Sequence, residues 1–147
     1  MHDPLMRNED RKIANLPRPF APEPRRPGDW PGAERERAVL GDAVCCRLAA
    51  RLAAGHYDVP LSQVVARRRS SRRAARARHV GMYLAHVIYG LSLGGIGRGF
   101  GRDRTTVAYA CRMIEDARDD PAFDAALAGL EISARVLLDL QREQALA

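Results

Sequence analysis

Four polar residues, Asp103, Arg104, Thr105 and Thr106, come directly before an apolar pattern that predicts a helix. An arginine fork can donate to two acceptors on guanine, an aspartate can accept from the cytosine amino group, and a threonine offers a hydroxyl and a methyl for thymine. Free amides at the start of a helix can also bind a phosphate. These residue types therefore predict contacts with the edges of base pairs.

The surrounding residues, Ser92 to Asp116, predict two short helices joined by a tight turn. Ser92 is a suitable N-cap for the first helix, and Gly101 to Asp103 form the turn. Buried positions follow helical spacing at Leu93, Ile96 and Phe100 in the first helix and at Val107, Ala110, Cys111 and Ile114 in the second. This order is that of a helix-turn-helix, which presents the first residues of its second helix to the major groove.

A basic segment, residues 67–78 (RRRSSRRAARAR), precedes this motif. No acidic residue lies between Val59 and Arg102, so the arginines repel one another unless a polyanion or counterions screen them. The alternative is a solvated run of charge in an arginine-rich chain. The predicted DNA-binding residues are Arg68, Arg69, Arg72, Arg73, Arg76, Arg78, Ser92, Arg102, Asp103, Arg104, Thr105 and Thr106.

Hydrophobic spacing predicts an all-α fold, a helical cluster that contains the helix-turn-helix and an extra C-terminal helix. Besides the two helices above, we expect a helix from Ala33 that ends at Gly55, a short helix from Leu61 to about Ala66, a helix that follows the basic segment and ends at Gly90, and a last helix over 122–146. The expected inward residues of these four are, in order, Leu40, Val44, Leu48 and Leu52; Leu61, Val64 and Val65; Val80, Leu84, Val87 and Ile88; and Leu127, Leu130, Val136, Leu137 and Leu140.

Composition divides the chain into three parts. Residues 1–32 contain seven of the nine prolines and predict a disordered tail, residues 33–118 the DNA-binding domain, and residues 119–147 an amphipathic helix. The chain carries a formal net charge of +6, but its last 35 residues, from Met113, hold eight acids against three arginines. The charge therefore places the anion-binding surface in the middle of the chain.

Several function classes lack a matching pattern. The cysteines (Cys45, Cys46 and Cys111) form no C-x-x-C pair, and the histidines form no metal-binding spacing with them. The glycine-rich stretch before the second helix has no G-x-x-x-x-G-K-[ST] pattern, and no nucleophile–base pair is recognisable. We expect a protein that is not an enzyme and has no cofactor or metal. With no apolar run that could span a membrane and no secretory signal, we expect a cytoplasmic, nucleoid-associated location.

The stretch from Arg67 to Glu115 resembles the C-terminal DNA-binding domain of the bacterial replication initiator DnaA, and a weaker resemblance begins near Ala33 and ends at Asp116. It is carried by the basic loop followed by AR-x-R, by MYLA, and by SL-x-x-IG-x-x-FG-RD-x-TTV-x-x-AC-x-x-I. The resemblance implies that an arginine of the basic segment, Arg69 or a neighbour, enters the minor groove. It also implies that Asp103, Thr105 and Thr106 read the major groove.

Three departures from the family affect which sequence is read. Gly101 stands alone where the family has two glycines, Arg104 replaces a histidine, and the basic loop is one residue longer. We interpret the chain as a sequence-preferring double-stranded DNA-binding protein that reads DnaA-box-like sites. It would regulate replication initiation or transcription without ATPase activity. The alternative is an interaction module that binds replication-machinery proteins through its tail or last helix, with DNA reading altered or lost.

Overall fold

A computed structural model describes residues 33–67 and 70–146, with side chains described from Gly41 onward. Six helices and no strand occur within these ranges: α1 (Ala33–Tyr57), α2 (Leu61–Val64), α3 (Arg72–Val87), α4 (Leu93–Phe100), α5 (Arg104–Ala117) and α6 (Pro121–Leu146). The predicted all-α fold is confirmed. The predictions for the tail 1–32, for Leu40, and for Arg68 and Arg69 lie outside the residues whose side chains are described.

Helix α1 passes through Gly55 and ends two residues later, so the predicted end was wrong. Asp58 adopts a left-handed conformation with φ 52°. The amide of Val59 donates to the carbonyl of Ala54 at 3.0 Å, and the amide of Asp58 donates to that of Gly55 at 3.3 Å. These are the two hydrogen bonds of a Schellman motif, in which the left-handed residue is here an aspartate instead of the usual glycine.

The buried face of α1 consists of small residues, which corrects the predicted leucine stripe. Ala49, Ala50 and Ala53 are fully buried, whereas Leu48 and Leu52 lie beside the core and are partly exposed. Helix α3 packs against this face, and a Cβ added at Gly81 would fall 3.5 Å from the Ala49 carbonyl oxygen. Because small side chains let the two backbones approach closely, the leucines are displaced to the flanks.

The connection from α2 to α3 differs from the prediction in two ways. Helix α2 ends at Val64, and Val65 is 40% exposed instead of facing inward. Helix α3 begins inside the basic segment, because the hydroxyl of Ser71 caps it by accepting from the Ala74 amide at 3.1 Å. Ala74 and Ala77 are buried, so this face of α3 packs into the protein and the neighbouring arginines are carried on a helix.

Helix α6 packs mainly against α1, and its buried residues belong to the same core as those of α1, α3 and α5. These residues are Phe123, Leu127, Leu130, Ala134 and Leu138. The predicted inward positions at Val136 and Leu140 were wrong, since both side chains are 51% exposed. None of the helices in the described ranges combines the length and the apolar character needed to span a membrane.

Candidate nucleic-acid interface

Helices α4 and α5 are joined by a turn whose geometry depends on glycine. Ser92 caps α4 by accepting from the Gly95 amide at 3.0 Å, as the sequence predicts. At the other end Gly101 is left-handed (φ 65°, ψ 37°), and the amides of Gly101 and Arg102 both donate to the carbonyl of Gly97. A Cβ at Gly97 would collide with the carbonyl oxygen of Arg102, so the chain can turn this tightly only with glycine there.

The start of α5 is open to solvent. Asp103 caps the helix, with its Oδ1 accepting from the Thr106 amide at 2.8 Å. This hydrogen bond lowers the pKa of the Asp103 carboxyl below its ordinary value, so the group is a carboxylate at neutral pH. Arg104 and Thr105 are exposed, Thr106 is partly exposed, and no acid occupies the first turn. All four predicted base-contacting residues therefore present side chains to solvent, Thr106 only partly, and Asp103 also caps the helix.

Arg102 joins this turn to the beginning of the basic segment. Its Nη2 donates to the Ala66 carbonyl at 2.5 Å, and its Nη1 donates to the Gly101 carbonyl at 3.3 Å. The side chain of Arg67 lies across the same turn, because a Cβ at Gly101 would fall 3.1 Å from the Arg67 Nε. The structure thus brings the helix-turn-helix and the basic segment into direct contact.

Arg78 points into the protein instead of toward solvent. It is only 8% exposed, its Nε donates to the Val64 carbonyl at 2.7 Å, and its Nη2 donates to the Gln63 carbonyl at 3.2 Å and to the Ser70 Oγ at 2.7 Å. Burial, followed by the nearby charge of Arg102, lowers the pKa of Arg78. A side chain so enclosed cannot also reach DNA, so we remove Arg78 from the predicted set of contacting residues.

The start of α3 presents a second open helix end. Arg72 and Arg73 are exposed in its first turn, where no acid is found. A cation near a helix N-terminus opposes the helix dipole, so this placement favours a bound anion. Arg76 is partly buried and lies over the ring of Phe123 on α6, with 4.8 Å from Cζ to the ring centroid.

Ser92 lies in a different environment from the starts of α3 and α5. A Cβ at Gly95 would fall 2.7 Å from the Oδ2 of Asp42, so a carboxylate of α1 already stands beside the first turn of α4. An acid at that place favours the helix dipole and repels a phosphate. The structure therefore places Ser92 near a carboxylate of α1.

The predicted set of contacting residues left out Arg67, His79 and Tyr109. Arg67 opens the arginine run, but nothing in the run itself distinguishes it from its neighbours; its contact with Gly101 does. His79 on α3 and the exposed Tyr109 on α5 form an edge-to-face pair with ring centroids 6.3 Å apart. Burial, followed by the charges of Arg76 and Arg78, lowers the pKa of His79 to about 4, so its ring is neutral at pH 7.

The central residues match a known family. Residues 50–114 match the helix-turn-helix of bacterial DnaA proteins. The chromosomal replication initiator protein DnaA of Mesorhizobium japonicum is 46% identical over 67 residues, which is 45% of this chain and 14% of that protein. The corresponding values are 43% over 75 residues, 50% and 16% for DnaA of Symbiobacterium thermophilum, and 46% over 67 residues, 45% and 13% for that of Brucella abortus.

The match is confined to one part of each protein. The chain spans 13–16% of the length of these curated relatives. No solved structure is significantly similar to it. The matched residues run from the C-terminal half of α1 to the last turn of α5 and include the whole α4–turn–α5 motif. Residues 50–114 are therefore similar to the helix-turn-helix of bacterial DnaA proteins.

Proposed function

We propose that this chain binds double-stranded DNA with a preference for DnaA-box-like sequences, and that it regulates replication initiation or transcription by occupying such sites. One observation carries the proposal. The exposed start of α5, where Arg104 and Thr105 follow the Asp103 cap, lies beside the basic segment, because Arg102 bonds to Ala66 and Arg67 crosses Gly101. A base-reading helix end and a phosphate-binding segment are thereby combined on one surface.

The two parts of this surface fit different parts of a duplex. Arg104 and Thr105 suit base edges in the major groove, where α5 would enter by its first turn. Arg72 and Arg73 at the start of α3 suit phosphates, and the predicted minor-groove contact belongs to Arg69 or a neighbour. Phosphate contacts set the orientation of the protein on the duplex, and base contacts set its sequence preference.

We further propose that DNA binding proceeds without nucleotide hydrolysis. The chain contains one lysine, Lys12, and no phosphate-binding loop. We expect no heat of binding when ATP with magnesium is titrated into the protein at micromolar concentrations. Saturable binding that unlabelled ATP displaces would contradict this part of the proposal.

The deciding experiment compares three duplexes at about 150 mM salt, a concentration at which unspecific attraction to phosphates is already weakened. They are a DnaA-box duplex, a scrambled duplex of equal composition, and the best sequence selected from a random pool. We expect the box or the selected duplex to bind at least about tenfold more tightly than the scrambled one. Equal affinity for all three would leave only unspecific binding. Absence of binding to any of them would favour the interaction-module alternative.

A further inference from the structure

The connection between α2 and α3 is hydrogen-bonded on both of its sides by arginine side chains. On the α2 side Arg102 donates to the Ala66 carbonyl at 2.5 Å. On the α3 side Arg78 donates to the Ser70 Oγ at 2.7 Å. The two arginines come from different elements, the α4–α5 turn and the middle of α3.

Arg78 also completes the end of α2. Its Nε and Nη2 donate to the carbonyls of Val64 and Gln63, which lie in the last turn of a four-residue helix. Carbonyl groups at a helix end have no partner within the helix, so a side-chain donor satisfies them. The same guanidinium thus bonds to the element before the connection and to the residue just before the N-cap of α3.

The hydrogen-bond partners of Arg78 are all neutral: two carbonyls and one hydroxyl. A buried cation without a carboxylate partner is costly, and the nearby charge of Arg102 adds to that cost by lowering the pKa of Arg78. A cost of this kind is usually found where it serves a site.

We propose that Arg102 and Arg78 are positioning residues that hold Arg67 and the start of α3 in a fixed placement relative to α5, so that the basic segment and the recognition helix meet DNA as one preorganised unit. This inference rests on the proposed DNA-binding function. A preorganised pair of contacts binds more tightly and more selectively than the same groups on a mobile connection, because less ordering is required on binding.

The proposal distinguishes a positioning role from a phosphate contact. A phosphate contact depends on charge, whereas positioning depends on the hydrogen-bond geometry of the planar fork, which lysine does not reproduce. Arg102→Lys retains the charge, and Ser70→Ala removes one tether without changing any charge. Matched controls are Arg98→Lys, on the exposed face of α4, and Ser133→Ala, whose hydroxyl donates to the Gly129 carbonyl at 3.1 Å within α6.

The first measurement uses the free protein. Amide hydrogen exchange by NMR should become at least about tenfold faster at Ala66 and Arg67 in Arg102→Lys. In Ser70→Ala the same increase should occur at positions 70 and 71. The amides of α5 should exchange at the wild-type rate in both variants. The two control variants should leave this connection as it is. Unchanged exchange in both test variants overturns the proposal whether or not the protein binds DNA, so its failure is distinct from failure of the proposed function.

The second measurement uses the duplexes described above. Arg102→Lys and Ser70→Ala should lower the ratio of preferred to scrambled affinity by about fivefold to tenfold, while affinity for the scrambled duplex stays the same. Arg102→Gln should leave the slope of log K against log salt unchanged. A slope smaller by about 0.9 would mean that Arg102 itself neutralises a phosphate, and this would overturn the positioning role. An unchanged affinity ratio in both variants would also overturn it.

Discussion

Arg78 and Arg118 are both partly or fully buried, but the hydrogen-bond partners of Arg78 are neutral, whereas those of Arg118 include two carboxylates. Arg78 donates to neutral oxygens, and burial together with Arg102 lowers its pKa. Arg118 bonds to Asp124 at 2.6 Å, to Glu131 at 2.5 Å and to the Tyr83 hydroxyl at 2.8 Å. Burial acts to lower the pKa of Arg118 as well, but the bond to Asp124 and the nearby Tyr83 and Glu131 outweigh it and raise the pKa.

This difference assigns the two sides of the molecule to different tasks. At the α5–α6 junction the positive charge is neutralised inside the protein, so Arg118 serves to attach α6. Arg78 donates to neutral oxygens, and the sequence from Val59 to Arg102 contains no acid, so we expect the basic segment to attract an external polyanion. Changes on the first side should alter stability, and changes on the second side should alter binding.

The largest expected effect comes from removing α6 with a stop after Asp120. The deletion removes both carboxylate partners of Arg118 and the five buried residues of α6. Burial of each large apolar side chain stabilises by about 1.5–3 kcal/mol, so their sum is comparable to the whole stability of a small domain. We expect loss of cooperative melting by circular dichroism. A chain ending at Glu143, which keeps those residues, should still melt cooperatively; cooperative melting of the shorter chain would refute the prediction.

The second effect concerns the basic segment. Replacing Arg68, Arg69, Arg72 and Arg73 together with alanine should weaken binding to every duplex, because phosphates are no longer neutralised. Each lost contact should reduce the slope of log K against log salt by about 0.9. Preference for the box should fall as well if one of these arginines enters the minor groove.

The control for this variant carries alanine at Arg135 and Arg142, on the acidic α6. Its salt slope should stay close to that of the wild type. If the variant with four alanine substitutions also keeps the wild-type slope of log K against log salt, the basic segment does not lie on DNA.

The third effect concerns the stability that Arg118 contributes through its carboxylate partners. Arg118→Met retains much of the stem but removes the donor that Asp124, Glu131 and the Tyr83 hydroxyl share, and Glu131 keeps only the 3.5 Å bond from the Tyr83 hydroxyl. We expect a loss of about 2–3 kcal/mol in the free energy of unfolding, less than for a fully buried pair because Arg118 is 29% exposed. Urea denaturation measures the loss. Adding Glu131→Gln should restore part of it, and DNA affinity below the melting temperature should be unchanged; a large drop in affinity would contradict the division of tasks.

The fourth effect concerns Arg104, a residue at which the chain departs from the DnaA pattern that it resembles. A guanidinium only donates, so Arg104 should favour a base with two acceptors, such as guanine. Arg104→Ala should cost roughly 1–3 kcal/mol on the preferred duplex and relax preference at one or two base pairs, and Arg104→His should shift preference toward the usual DnaA box. The measurement is binding to a panel of single-base variants. Equal losses across the panel would mean that Arg104 contacts only a phosphate.

The smallest effect is a pH dependence of stability that comes from His79. The pKa of His79 is about 4 in the folded protein and about 6.5 in the unfolded chain, so the unfolded chain binds more protons between these values. Stability should be complete above pH 6.5 and fall as the pH drops toward 4, by about 1–2 kcal/mol allowing for partial exposure. Chemical denaturation at several pH values measures this. His79→Gln should remove the dependence in that window; the same slope in both proteins would contradict the assignment.

Much of the helix-turn-helix could be predicted from the sequence, because its signals are local. The Ser92 cap depends on a residue three positions away, and the buried stripe of Val107, Ala110, Cys111 and Ile114 follows helical spacing. The predicted leucine stripe of α1 was wrong because tertiary packing determines which face of α1 is buried. Alanines face inward there, since α3 approaches closely at Gly81.

The roles of individual arginines were beyond sequence reasoning. Arg78 stands in a run of seven arginines and has the same local pattern as its neighbours. Its internal role depends on carbonyls 14 and 15 residues earlier in the chain, at Val64 and Gln63. Arg102 and Arg67 likewise gain their places from contacts across the α4–α5 turn, which no spacing within the sequence encodes.

The absence of a side chain at Gly81 leaves room for the neighbouring helix α4 and thereby affects where α5 begins. A methyl group there would fall 3.3 Å from the Cζ of Phe100, the last residue of α4, and would press on that ring. Phe100 directly precedes the Gly101 turn. If an added methyl group moved Phe100 by a few tenths of an ångström, we would expect the orientation of α5 to change. In the proposed DNA complex, Gly81 would therefore influence how far α5 enters a groove without contacting DNA itself.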